Sequence, residues 1–114
     1  MVYPGEELAT ETREHMRGGK NSVAVTHIEK ALLPESARLF ARLTLPPGSS
    51  IGEHRHTGEA EMFYFLRGEG VVTDDGERIP VRAGDAMTTP SGHSHSVENT
   101  GTEDLVLIAS IVTA

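Results

Sequence analysis

Residues 48–68 read GSSIGEHRHTGEAEMFYFLRG, and the fold turns on how they are read. In an extended chain residues i and i+2 share a face, so His54 and His56 aim their imidazoles together. After a short connection at residues 57–60, Glu61 begins an alternation with Phe63 and Phe65. An antiparallel hairpin would bring that carboxylate beside the two histidines. Phe63 and Phe65 are apolar and fit a barrel interior, so Glu61 is expected to point inward among hydrophobes. A lone carboxylate there suffers a large desolvation cost unless a cation or a donor meets it. A metal ion removes the conflict.

Working outward, the pattern on both sides is that of strands. Residues 37–45 alternate, with Leu39, Ala41, Leu43 and Leu45 on one face and Arg38, Phe40, Arg42 and Thr44 on the other. Residues 23–26 form an earlier strand. Pro46-Pro47-Gly48, Asp74-Asp75-Gly76, Ala83-Gly84-Asp85, Pro90-Ser91-Gly92 and Asn99-Thr100-Gly101 are turn signals. Between them lie short strands at 60–67, 71–73, 78–82, 86–89, 93–98 and 104–112. Eight or nine strands with regular turns imply an all-β antiparallel barrel or double-sheet jelly roll. Residues 1–20 differ. They are read as an N-terminal arm, with a short helix over 6–16 whose apolar face (Leu8, Thr12, Met16) is weak, ahead of a single barrel domain at 21–114.

Composition narrows the chemistry. The chain has 114 residues, room for one domain. It has 10 basic and 17 acidic residues, a net charge of −7, and no basic run, which argues against a nucleic acid or an anionic membrane as partner. There is no cysteine, so disulfides and thiolate sites are excluded and any metal must be held by His, Asp or Glu. No apolar leader opens the sequence and no apolar run is long enough to span a membrane, so a cytoplasmic protein is the expectation.

A second histidine group, His93-Ser94-His95, shares a face if that segment is extended. Imidazole nitrogen and carboxylate oxygen suit Mn, Fe, Ni, Cu or Zn rather than Ca or Mg. The stretch Gly48-x5-His54-x-His56-x4-Glu61-x6-Gly68 matches the first motif of the cupins at every fixed position, and Gly84-x5-Pro90-x-Gly92-x2-His95-x3-Asn99 matches the second. At about one in twenty per position, ten such coincidences arise by chance at about 10⁻¹³. The chain therefore resembles a small single-domain cupin. The resemblance implies an antiparallel double-stranded β-helix, or jelly-roll barrel, with one divalent transition metal per chain held by His54, His56, Glu61 and His95. It gives Gly48, Gly68, Gly84, Pro90, Gly92 and Asn99 structural roles in turns.

Function is less determined. A metal-dependent enzyme acting on a small carboxylate or oxygenated metabolite is one expectation, in the dioxygenase, decarboxylase or isomerase class. A metal-dependent binding or sensing module without turnover is the alternative. Two-domain oxalate decarboxylases carry a substrate-holding arginine three residues before the first motif histidine; Ile51 stands there in this sequence. Further pocket candidates are Phe63, Phe65, Arg42 and Phe40. Arg42 could grip an anion if its face of the strand is interior. His93 reads equally as a turn residue facing solvent and as a pocket-mouth histidine. Glu59 is a candidate lid acid in the loop, or simply a solvated charge. Met62, Tyr64 and Leu66 lie opposite Glu61, Phe63 and Phe65, so both faces of that strand are apolar. A second subunit is the simplest cover for the outer one, which makes a homodimer the expected assembly.

Overall fold

In the computed structural model, which describes residues Met1–Ala114, ten strands form two antiparallel sheets facing each other across one core. In chain order they are β1 (Ala9–Glu14), β2 (Ser22–His27), β3 (Ala37–Leu45), β4 (Ser50–Arg55), β5 (Glu59–Arg67), β6 (Glu69–Asp74), β7 (Glu77–Arg82), β8 (Ala86–Thr89), β9 (Ser94–Glu98) and β10 (Leu105–Thr113). The larger sheet runs β1-β2-β3-β10-β5-β8 and the smaller β4-β9-β6-β7. This is the all-β jelly roll expected from the turn spacing. No helix is long and apolar enough to cross a membrane.

Alternation builds the core. Leu43 and Leu45 of β3, Phe65 of β5 and Leu105 and Leu107 of β10 are fully buried, facing Val72 and Val97 of the smaller sheet. Each such side chain contributes about 1.5–3 kcal/mol relative to exposure. The turns close as their residues dictate. Asp75 (φ 50°) and Gly76 (φ 87°) join β6 to β7 as a two-residue loop with both central φ angles positive, the hairpin turn that matches strand twist. Gly68 has φ 82°, and a Cβ there would stand 2.4 Å from the Asp104 carbonyl oxygen, so only glycine fits. Asn99 is buried and donates to the carbonyls of Leu45 and Glu103, tying the end of β9 to β3.

Two expectations are corrected. Residues 6–16 contain no α-helix. Thr10 and Thr12 are β-branched and favour extension, and β1 pairs with β2 over six residues, with a cross-strand contact of 2.8 Å between the hydroxyls of Thr10 and Thr26. Residues 1–20 thus extend this chain's own sheet. And β4 and β5 are not a hairpin: they lie in opposite sheets, so residues 56–58 cross the barrel instead of turning back on it.

Candidate metal centre

The crossing of β4 to β5 is what assembles the site. His54 on β4 pairs directly with His95 on β9, so two imidazoles enter from the smaller sheet side by side. His56 follows the end of β4, pinned by its N–H to the carbonyl of His93 and by its own carbonyl, which accepts from Gly92 N–H. Glu61 faces them from β5 in the larger sheet, opposite Thr89 of β8. His56, Glu61 and His95 are buried, and His54 is partly so. Phe63, two residues past Glu61, stacks on His95 with ring centroids 4.9 Å apart.

The four donor atoms converge. Glu61 Oε1 is 2.9 Å from Nε2 of both His56 and His95; the Nε2 atoms of His56 and His95 are 3.1 Å apart, and those of His95 and His54 3.2 Å. All four lie within 4.8 Å of one another. Neighbouring ligands on an octahedral ion with bonds of about 2.1 Å stand about 3.0 Å apart, against about 3.4 Å for a tetrahedral ion. The four spacings given, 2.9–3.2 Å, are those of neighbouring ligands on a single ion.

Each imidazole also has a neighbour at its outward-facing nitrogen. His54 Nδ1–H donates to the Gly52 carbonyl at 2.8 Å, and a carbonyl only accepts, so the Nε2 of this ring carries its lone pair inward. His95 Nδ1 shares a 2.7 Å hydrogen bond with the buried Thr89 hydroxyl. His56 Nδ1 lies 4.0 Å from Glu59 Oε1, and Glu59 is held in turn by both prongs of the Arg38 guanidinium. His54 Nε2 thus presents a lone pair to two further imidazole nitrogens and a carboxylate oxygen gathered at contact distance in a buried place, a donor set that a cation would complete. The residues present fit a divalent metal. Burial, the largest cause, holds His54 below the ordinary imidazole range, with the neighbouring His95, Arg17 and His56 acting the same way and the Gly52 carbonyl opposing them. Arg38 holds Glu59 below the usual carboxylate range.

A cavity of about 210 Å³ opens onto this cluster. Its walls include Ile51, Leu39, Phe63 and Ile111, and its rim carries Arg13, Arg17, Lys30 and Arg38. These are four of the ten Lys and Arg residues in a chain of net charge −7, and Glu61 is the cavity's single acidic residue. The residues lining the cavity thus carry a net positive charge although the chain as a whole is acidic.

The other expected pocket residues divide. Phe63 lines the cavity, whereas Phe65 is fully buried in the core away from it. Phe40 and Arg42 are on the outer face of the larger sheet, Phe40 being 47% exposed, because the aliphatic face of β3 takes the interior. Arg42 therefore cannot grip an anion at the histidines. His93 precedes β9, is exposed, and hydrogen-bonds Asp75 at the β6–β7 turn, turned away from the cavity. Ile51 and Arg38 reach the cavity against simple parity. A register shift between Ile51 and His54 breaks the alternation of β4. Another, where Ile111 and Val112 pair with Leu39 and Ala37, leaves Arg38 as the extra residue that a bulge re-aims. His27 is half-buried at the cavity's edge. Arg13, Met16 and Arg17 come from the segment read as an arm; the one signal for the two arginines was their positive charge in an acidic chain.

Sequence and structure comparisons agree with this fold. The profile of the cupin domain family matches residues 41–111. A protein of Thermotoga maritima named oxalate-binding protein is 50% identical over 113 residues, covering 98% of this chain and 93% of its own length. A crystal structure of a predicted oxalate decarboxylase from Thermotoga maritima superposes over the whole of both chains with a TM-score of 0.94 at 49% identity. A putative sugar phosphate isomerase from Acidithiobacillus ferrooxidans, 23% identical with a TM-score of 0.81 over 99% of this chain and 75% of its own, shares the fold.

Proposed function

The chain belongs to the cupin family, and from that premise we propose that it holds one divalent transition metal on His54, His56, Glu61 and His95 and uses it to bind a small carboxylate. The observation that carries this reading is the joining of the four-donor cluster to a cation-rimmed cavity with no free acid in it. The name of the Thermotoga relative, at 50% identity across nearly the whole chain, supports the same ligand class. When bound, the metal supplies positions at which a carboxylate oxygen docks and is polarised. The chain's own residues do the rest. Phe63 and Ile51 exclude water beside the donors. The Gly52 carbonyl, Thr89 and Glu59 orient the imidazoles. Donor chemistry selects among Mn, Fe, Ni, Cu and Zn only through availability.

Turnover in the dioxygenase, decarboxylase or isomerase class is the second reading. Glu59 favours it, as a carboxylate 4.0 Å from His56 Nδ1 and so placed to exchange a proton beside the cluster. Metal analysis of the purified protein, followed by calorimetry with oxalate on metal-loaded and metal-free samples, tests the first reading. Binding confined to the loaded form is expected, and equal or absent binding in both sinks it. Oxygen uptake or release of CO₂ by the loaded form would establish the second.

We also propose a homodimer. Phe40, Met62, Tyr64 and Leu66 stand 41–51% exposed on the outer face of one sheet, an apolar surface a second copy would cover. Sedimentation of a monomer at micromolar concentration would remove this assignment.

A further inference from the structure

Residues 15–21 contain three non-glycine residues in the left-handed region: His15 (φ 50°), Arg17 (φ 54°, ψ 31°) and Asn21 (φ 57°). Side chains rarely adopt this conformation, and it persists only where the surroundings over-determine it. Here they do. A Cβ on Gly52 would stand 2.1 Å from the Arg17 carbonyl oxygen, and one on Gly19 2.1 Å from that of Ser50. The two glycines let the turn lie directly on β4. Lys20 and Ser50 then lock it: Lys20 N–H donates to Ser50 Oγ at 2.8 Å, and Ser50 N–H donates to the Lys20 carbonyl at 3.0 Å. The turn is a fixture of the ligand-bearing strand, two residues from His54.

This fixture sets Arg17 on the rim of the cavity. Of the rim's cations, Arg13 is paired with Glu11 and Arg38 with Glu59, whereas Arg17 has neither an ion pair nor a side-chain hydrogen bond. Lys30 is also unpaired, but an ammonium on a flexible stem offers no bidentate fork. The cavity's volume corresponds to about seven water-sized groups at roughly 30 Å³ each, enough for a molecule of two to four carbons with a carboxylate at each end.

We propose that Arg17 receives the far carboxylate of a small dicarboxylate whose near end lies at the His54, His56, Glu61 and His95 cluster, so that the site prefers dianions to monocarboxylates. The assignment rests on the carboxylate-binding reading above. It makes the N-terminal turn a specificity element, supplying from outside the barrel the cation that Ile51 leaves out of β4.

The test is calorimetry on manganese-loaded protein with oxalate, malonate and acetate, comparing wild type with Arg17→Gly and Arg17→Lys. Glycine relieves the left-handed backbone, so Arg17→Gly is expected to melt no lower than wild type. It should bind the dianions at least tenfold more weakly while acetate affinity stays within twofold. Arg17→Lys, which keeps the charge without the fork, should fall between. Oxalate affinity within twofold of wild type in both variants, or equal losses for oxalate and acetate, overturns the assignment. Wild type that binds none of the three overturns the carboxylate reading itself, and this arm is read before any variant is made.

Discussion

The floor of the cavity and its rim are built in opposite ways. The floor is four buried or half-buried donors within residues 54–95, each on or next to a strand and oriented by a partner. The rim is four cations from residues 13–38, three of them charged heads at the surface of turns or strand ends, one on a left-handed backbone. The difference teaches where precision is needed. Donor atoms about 3 Å apart tolerate little displacement, so they are fixed by paired strands and second hydrogen bonds. Recognition of a ligand's outer charge needs only one cation at a set distance, which a clamped turn can provide.

The comparison breaks hardest at the floor. His56→Ala removes a buried donor that touches both Glu61 and His95. Loss of a partner behind a ligand already weakens a metal by about 10–100-fold, so loss of the ligand should exceed 100-fold. Metal content after dialysis reads this directly. Melting should agree: wild type gains stability with added metal by mass action, and His56→Ala should not.

Next in size is the seam between the two regions. Gly52→Ala places a Cβ against the Arg17 carbonyl, which is backbone and cannot rotate away. Overpacking of this kind costs about 1–3 kcal/mol. Denaturant unfolding should show that loss. Dianion affinity should fall with it, because the displaced turn carries Arg17.

The same division explains what was legible beforehand. His54, His56, Glu61 and His95 could be read because their spacing is set by strands and turns near them in sequence. The barrel could be read for the same reason: Asp75-Gly76 and the aliphatic face of β3 act locally. What failed depended on contacts between distant segments. The hairpin expected between β4 and β5 is a crossing between sheets, which no local pattern distinguishes from a turn. Arg38 was misplaced because a bulge opposite Ile111 and Val112 shifts parity, and a bulge is a property of the pair. Residues 6–16 looked weakly helical because β1 buries no face of its own; all six of its residues are exposed, and β2 holds it through the ladder. Arg17 was invisible until Gly19 and Gly52 were seen to clamp its turn.

A smaller effect sharpens the floor. Thr89→Val keeps the shape of the side chain and removes the hydroxyl bonded to His95 Nδ1. The ring then loses its orienting partner while Nε2 keeps its place. About a tenfold loss of metal affinity, or 1.4 kcal/mol, is expected by competition with a chelator, at the low end for such partners. A loss as large as that of His56→Ala would mean that Thr89 holds the barrel together instead.

The smallest effect belongs to the rim. Arg38 and Glu59 form a two-pronged pair near the surface, and solvent limits such a pair to about 0.2–1 kcal/mol. Arg38→Ala should therefore lower the melting temperature only slightly at neutral pH. Its sign with pH is fixed by Glu59, whose carboxyl Arg38 holds below the usual range. Between the folded and unfolded values the unfolded chain binds more protons, so the pair's contribution is complete above the ordinary value of 4.5 and disappears as pH falls through the folded one. The melting curves of wild type and Arg38→Ala should accordingly differ at pH 7 and merge in acid. Melting temperatures that stay equally far apart from neutral pH down into acid would show that Arg38 stabilises the rim through its stem, and that the charge of Glu59 has no part in it.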